Sequence, residues 1–109
     1  MFYYSREKFN QEQINAIELA IGAGLNPEKW AKPEYDSMQM FYCYHAQKLG
    51  LDLTSYIKDF SIDQIMVIFT GLRMGLDVSQ YATPNLPSDE MAKQNLILLR
   101  NRRVNFCNV

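Results

Sequence analysis

Three stretches of this chain, residues 9–33, 35–59 and 60–84, can be laid over one another in a single register. Each opens on an aromatic (Phe9, Tyr35, Phe60) and carries Gln four residues later (Gln13, Gln39, Gln64). Gly-Leu follows at the sixteenth and seventeenth places (Gly24-Leu25, Gly50-Leu51, Gly75-Leu76), and a large ring at the twenty-second (Trp30, Tyr56, Tyr81). A partial fourth copy starts near Leu86, so the period is 25 to 26 residues. A period of this size is the mark of stacked supersecondary units, none of which buries its apolar face alone.

Inside a unit the local chemistry reads as helix. The second place holds a helix N-cap residue, Asn10, Asp36 or Ser61, and the fifth place holds Gln. A short side-chain oxygen at the cap accepts from the third backbone amide of the helix while the Gln reaches back to the cap amide. The aromatic before each cap is placed as a hydrophobic staple. Apolar residues then recur along one helical face, Ile14, Ile17 and Ile21 in the first unit, Ile65, Ile68 and Leu72 in the third. Gly24, Gly50 and Gly75 stand where a left-handed C-cap favours a residue without a side chain. A helix of roughly 14 residues, near 20 Å, is expected in each unit.

After the glycine, Asn26, Asp52 or Asp77 offers a second cap, and Pro27 takes the position proline prefers in a helix. Only a short second helix fits, residues 28–31, 54–57 and 79–82, before Pro33, Asp59 or Pro84 stops it. The fourth copy, residues 86–103, lacks the Gly-Leu-Asp turn and ends in Arg100, Arg102 and Arg103, cations suited to a helix C-terminus. Residues 1–8 read as the last piece of a preceding unit, the kind of cap a repeat array uses at its ends. The expected fold is all-α, a short α-solenoid forming a single domain over residues 1–109 with residues 86–103 as a partial capping unit.

Composition narrows the functional classes. An apolar fraction of 48% and an aromatic fraction of 13% argue against disorder. A net charge of −1 creates no global field for nucleic acid or anionic lipid. No apolar run approaches the roughly 20 residues of a membrane span, and Met-Phe-Tyr-Tyr-Ser-Arg is not built like a signal peptide. A cytoplasmic protein with no membrane contact is expected, its two cysteines, Cys43 and Cys107, free thiols.

The third unit, Phe60-Ser-Ile-Asp-Gln-Ile through Gly75-Leu-Asp-Val-Ser-Gln-Tyr-Ala-Thr-Pro84, resembles a short α-helical repeat of bacterial phage and mobile-element proteins. Units of that family read approximately F-D-x-x-Q-M-x-x-I-x-x-G-L-x-x-G-L-D-V-S-x-Y-A-x-P. The first unit departs from it at Gly22, Asn26 and Pro27, the second at Cys43, Ala46 and Gln47. The resemblance covers about residues 9–100 and implies a helical array in a mobile-element setting, with no catalytic residues to carry over.

Chemistry-bearing motifs are scarce. His45 has no partner at metal-ligand spacing except Asp52 across the glycine turn, which favours a surface or packing role. There is no phosphate loop, nucleophile elbow or paired-cysteine metal motif, so neither an enzyme nor a cofactor is expected. The inner helices carry a second apolar face, Phe41, Tyr42 and Tyr44 in one and Met66, Val67 and Phe69 in the other. Either the inner units are flanked on both sides, or the face serves a partner protein, for which Phe41, Tyr42, Tyr44, Met66 and Phe69 are the candidates. Lys93, Arg100, Arg102 and Arg103 are candidates for nucleic-acid contact, or they form a solvated helix end. The Gly-Leu-Asp turn has the look of a helix-turn-helix, but the helix after it is too short to read a major groove.

These readings converge on a non-catalytic protein-interaction module. In the mobile-element setting the sharper expectation is an inhibitor of a host defence effector such as a nuclease, in the manner of anti-CRISPR proteins. The alternative is a nucleic-acid-binding accessory protein using the C-terminal arginines. A homodimer through an end face or the tail, residues 104–109, is also compatible with the pattern.

Overall fold

In the computed structural model, which describes residues 3–107 and the side chains of residues 3–102, the chain is all-helical. Four helices, α1 (Gln11–Gly22), α2 (Ser37–Lys48), α3 (Ile62–Arg73) and α4 (Ser88–Cys107), are joined by turns, and no strand occurs among the described residues. Short 3-10 turns lie at Arg6–Lys8 and Val78–Gln80. The chain divides into two compact units at Lys58 and Asp59, where the sequence suggested one domain.

The same terminal chemistry opens and closes three of the helices. Asn10, Asp36 and Ser61 each accept from the backbone amide of Gln13, Gln39 or Gln64, and each Gln Oε1 accepts from the cap amide at 2.8 Å. At the far ends the amides of Leu25, Leu51 and Leu76 donate to Ala20, Ala46 and Gly71. The amides of Gly24, Gly50 and Gly75 donate to Ile21, Gln47 and Leu72. That pair of bonds is a Schellman motif, and it requires the positive φ of 78°, 75° and 75° that the three glycines adopt. The motif closes each helix after 12 residues, two fewer than expected, because it consumes the last turn of the apolar pattern.

Gln at the fifth place has a further role. Its Oε1 is occupied by the cap, which leaves Nε2 to donate elsewhere. Gln13 Nε2 donates to the carbonyl oxygens of Pro33 at 3.3 Å and Tyr35 at 2.6 Å, Gln39 Nε2 to Ile57 at 2.6 Å, and Gln64 Nε2 to Pro84 at 2.9 Å and Leu86 at 2.8 Å. One amide therefore caps its own helix and holds the backbone one period downstream. Glutamate serves a capping box equally well but has no second donor, which accounts for Gln at all three sites.

These bonds bring like ends together. In the first unit the beginnings of α1 and α2 also meet through Ser37 Oγ donating to Glu12 at 3.1 Å. Their far ends meet where Gln47 Nε2 donates to Asn26 O at 2.8 Å. In the second unit Gln64 joins the beginnings of α3 and α4, and Arg102 Nη1 donates to Met74 O at 2.7 Å at the other end. Helices α1 and α2 run parallel, and so do α3 and α4.

The return connections are shorter than the second helices expected from sequence. Residues 28–31 and 54–57 form one hydrogen-bonded turn each, closed by Ala31 N to Pro27 O and Ile57 N to Leu53 O, and Val78–Gln80 is a 3-10 turn. Asn26, Asp52 and Asp77 cap them by accepting from the amides of Glu28, Thr54 and Ser79. One turn suffices to swing Trp30 and Tyr81 inward, to 1% and 5% exposure.

In the first unit the core is Ile14, Ala16, Ile17, Ala20, Trp30, Met40, Cys43, Tyr44, Ala46, Leu53 and Ile57. In the second it is Ile65, Ile68, Phe69, Leu76, Val78, Tyr81 and Met91. Fully burying one such aliphatic side chain contributes about 1.5 to 3 kcal/mol. Ile21, expected in the core, is exposed at 38%, because the inward position of that turn belongs to Ala20. The equivalent places hold Ala46 and Gly71, small residues buried in their helices, and at Gly71 the ring of the return turn comes close. At Gly71 an added Cβ would lie 2.6 Å from Val78 Cγ1, 2.7 Å from Asn95 Oδ1 and 3.0 Å from the Tyr81 hydroxyl.

Candidate functional site

Between the parallel helices of each compact unit lies a groove at equivalent places in the sequence units. In the first unit it is broad, about 760 Å³, with Asn15, Glu18, Leu19 and Ala23 on α1 and Phe41 and Tyr44 on α2. In the second it is about 300 Å³ and almost wholly apolar, with Val67, Thr70 and Met74 on α3 and Ala92, Leu96 and Leu99 on α4. Leu19 matches Thr70, Ala23 matches Met74, Phe41 matches Ala92, and Tyr44 matches Asn95. Several lining residues remain open to water, Leu19 at 47%, Met74 at 42% and Leu96 at 63% exposure.

The five aromatic and methionine candidates separate by burial. Phe41 and Tyr42 are half-buried and Met66 is exposed, whereas Tyr44 and Phe69 are buried. Tyr44 has Lys48 Nζ 5.2 Å from its ring centroid and the His45 ring at 5.0 Å, and Arg73 lies 5.6 Å from the Phe69 centroid. Of the five, Phe41 and Tyr44 meet in one groove, the one between α1 and α2. Leu19 is a groove residue that sequence reasoning passed over, and Leu96, expected with residues 97–99 to form the apolar face of the fourth unit, is 63% exposed at the groove. Period places Leu19 beside the polar face, and only the parallel neighbour turns it into a wall.

Asn95 stands at the place that Tyr44 and Phe69 fill in the second and third sequence units. It is buried at 7%, accepts from the Tyr81 hydroxyl at 2.6 Å and donates through Nδ2 to Val67 O at 3.0 Å. In the first unit Gln47 works in the same way, accepting from Trp30 Nε1 at 3.0 Å and donating to Asn26 O. These amides satisfy the polar tips of the inward rings, which would otherwise be left buried without a partner.

Among the described side chains Arg102 is set apart from Lys93 and Arg100. Lys93 pairs with Glu90 at 3.1 Å, and Arg102 covers the carbonyl end of α3. Arg100 is exposed. At about 100° per residue, Arg100 and Arg102 point to nearly opposite sides of α4. The side chains of residues 103–107, Arg103 and Cys107 among them, and the whole of residues 108–109 lie outside what the structure describes.

The titratable groups elsewhere serve structure. Burial, with a smaller contribution from the Asp52 charge, pushes the Cys43 thiol up to about 12, which leaves it uncharged at neutral pH. Asp52 is held below the usual carboxylate range by the Thr54 hydroxyl and amide, with Lys29 at 3.8 Å assisting. Ser79 does the same for Asp77. A cavity of about 420 Å³ beside Trp30, Gln47 and Asp52 holds Cys43 in its wall. Among the described residues no three His, Cys, Asp or Glu side chains converge on a point where a metal ion could sit. No described helix is long and apolar enough to cross a membrane. No family model, curated protein or solved structure matches the chain.

Proposed function

We propose that this protein is a non-catalytic interaction module, a short α-solenoid of helix-and-turn units that presents the groove between α1 and α2 to a partner protein. The observation carrying this reading is the groove itself, where Phe41, Tyr44 and the 47% exposed Leu19 line one open concavity. Aromatic and aliphatic side chains in a partly desolvated concavity are the usual anchors of protein recognition. The resemblance to mobile-element repeats makes a cytoplasmic host defence nuclease the partner of choice, bound and inhibited without chemistry.

The test is paired. In a bacterium with an active nuclease-based defence, expression of the protein should raise plating of the targeted phage, and the purified nuclease should bind it. Leu19→Glu, at an exposed position, should abolish both while leaving thermal melting unchanged. No protection and no binding would remove the inhibitor reading. A salt-sensitive DNA or RNA shift lost on replacing Arg100 and Arg102 would favour the nucleic-acid alternative instead.

A further inference from the structure

The outward side of α4 is self-complementary, and we propose that it forms a two-fold antiparallel contact with α4 of a second copy of this chain. Three observations lead there. First, Leu96 and Ile97 stand exposed at 63% and 44% in the middle of the helix, beside the apolar groove of about 300 Å³ walled by Val67, Met74 and Leu99. Second, charge is distributed with a sign along the helix: Asp89 falls in its first turn and Arg100 lies beyond Leu99, while Glu90 and Lys93 between them neutralise each other at 3.1 Å. Third, Asp89 and Arg100 are seven residues before and four after Leu96, so both share its side of α4, and both are exposed.

Pairing two copies antiparallel about Leu96 makes each of these features meet its complement. The Leu96 side chains cross at the centre, and the groove beside each takes the apolar side of the other. Arg100 of one copy then lies opposite Ala92 of the other, three residues and about 4.5 Å along the axis from its Asp89. An arginine side chain spans that distance. A parallel pairing would set Asp89 against Asp89 and Arg100 against Arg100, and would align the two helix dipoles unfavourably. The charge pattern therefore selects the two-fold arrangement, the commonest closed symmetry of soluble oligomers. It also argues against nucleic acid on this side, since Asp89 would face phosphates. This contact is distinct from the groove between α1 and α2 and does not depend on that groove's partner.

Sedimentation of the full chain over a concentration series tests the proposal. The expected result is a concentration-dependent dimer that Leu96→Asp converts to monomer throughout, with unchanged far-UV circular dichroism. Asp89→Arg and Arg100→Asp should each weaken the dimer about tenfold, the pair contributing twice by symmetry. The double variant carrying both exchanges should recover the loss, which a helix weakened by charge at its ends would not do. A protein that stays monomeric into the millimolar range, a dimer indifferent to Leu96→Asp, or a double variant no tighter than the singles would each overturn it.

Discussion

Replacing Gln64 by glutamate exchanges a single NH2 group for an oxygen, and the change isolates the second role of that side chain. The acceptor to the Ser61 amide survives, and a carboxylate in the first turn of α3 is favoured by the helix dipole by about 0.5 kcal/mol. What is lost is Nε2, which donates at 2.9 Å to Pro84 O and 2.8 Å to Leu86 O from a side chain only 8% exposed. Two hydrogen bonds at about 1 kcal/mol each disappear. A charged oxygen then faces two carbonyl oxygens away from water, adding roughly 1 to 2 kcal/mol. The net cost is about 3 kcal/mol at neutral pH. At about 2.1 cal/mol/K per residue that lowers the melting temperature by about 13 °C.

The penalty also has a pH signature. Facing carbonyls, the introduced carboxyl is stabilised in its neutral form, so its folded pKa rises above the unfolded value near 4.3. The destabilisation is complete above the folded pKa and fades as pH falls toward the unfolded one, where the protonated oxygen can donate to one carbonyl. Urea titrations followed by circular dichroism should therefore show wild type and Q64E furthest apart at about pH 7 and converging toward about pH 4.5. Gln39, half-buried with one such bond to Ile57 O, should respond in the same direction but less. A Q64E protein as stable as wild type at neutral pH, or a gap that does not change with pH, would refute the role assigned to Nε2.

Two helical glycines should respond oppositely to alanine. G71A forces a Cβ against Val78, Asn95 and Tyr81, costing about 1 to 3 kcal/mol that a helix-propensity gain of about 1 kcal/mol only partly offsets; Tyr81→Phe should reduce that cost. G22A, with nothing within 4 Å of the new Cβ, should stabilise by up to about 1 kcal/mol, both being read from chemical denaturation. In a Cys107→Ser background, the Cys43 thiol should resist Ellman's reagent until the protein unfolds, so its labelling rate should follow the unfolding rate; fast labelling of the native protein would contradict its burial at 2% exposure. Because the Asp52 pKa is depressed, its charge contributes stability above the unfolded value near 3.9 and loses it as pH falls through the folded one. The stability difference between wild type and D52N should thus be present at neutral pH and vanish in acid.

Local chemistry was readable from the residues alone. Asn10 with Gln13, or Gly24 before Leu25, is a short-range pattern whose partners lie within a few residues, and helix ends are decided there. What lay out of reach were the quantities set by a neighbour one period away. Nothing around Gln13 announces that Nε2 reaches Tyr35 O, and nothing around Asn95 announces the Tyr81 hydroxyl. Ile21 obeys the apolar spacing yet faces water, since Ala20 takes the inward position of that turn. The same reason divides Tyr44 and Phe69, which are buried, from Met66, which is not. Periodicity assigns a residue to a side of its helix, and only the position of the adjacent helix decides whether that side is covered.

The carbonyl groups that receive Gln13, Gln39 and Gln64 belong to the main chain, which every amino acid possesses. Adjoining segments are consequently fastened by a bond that does not inspect side-chain identity, and the recipient stretch is free to mutate. The glutamine joint therefore tolerates substitution at the receiving residue, whereas the Trp30–Gln47 and Tyr81–Asn95 contacts each need a matching pair. Divergence can then accumulate at exposed residues such as Met66 while the glutamine joint stays the same.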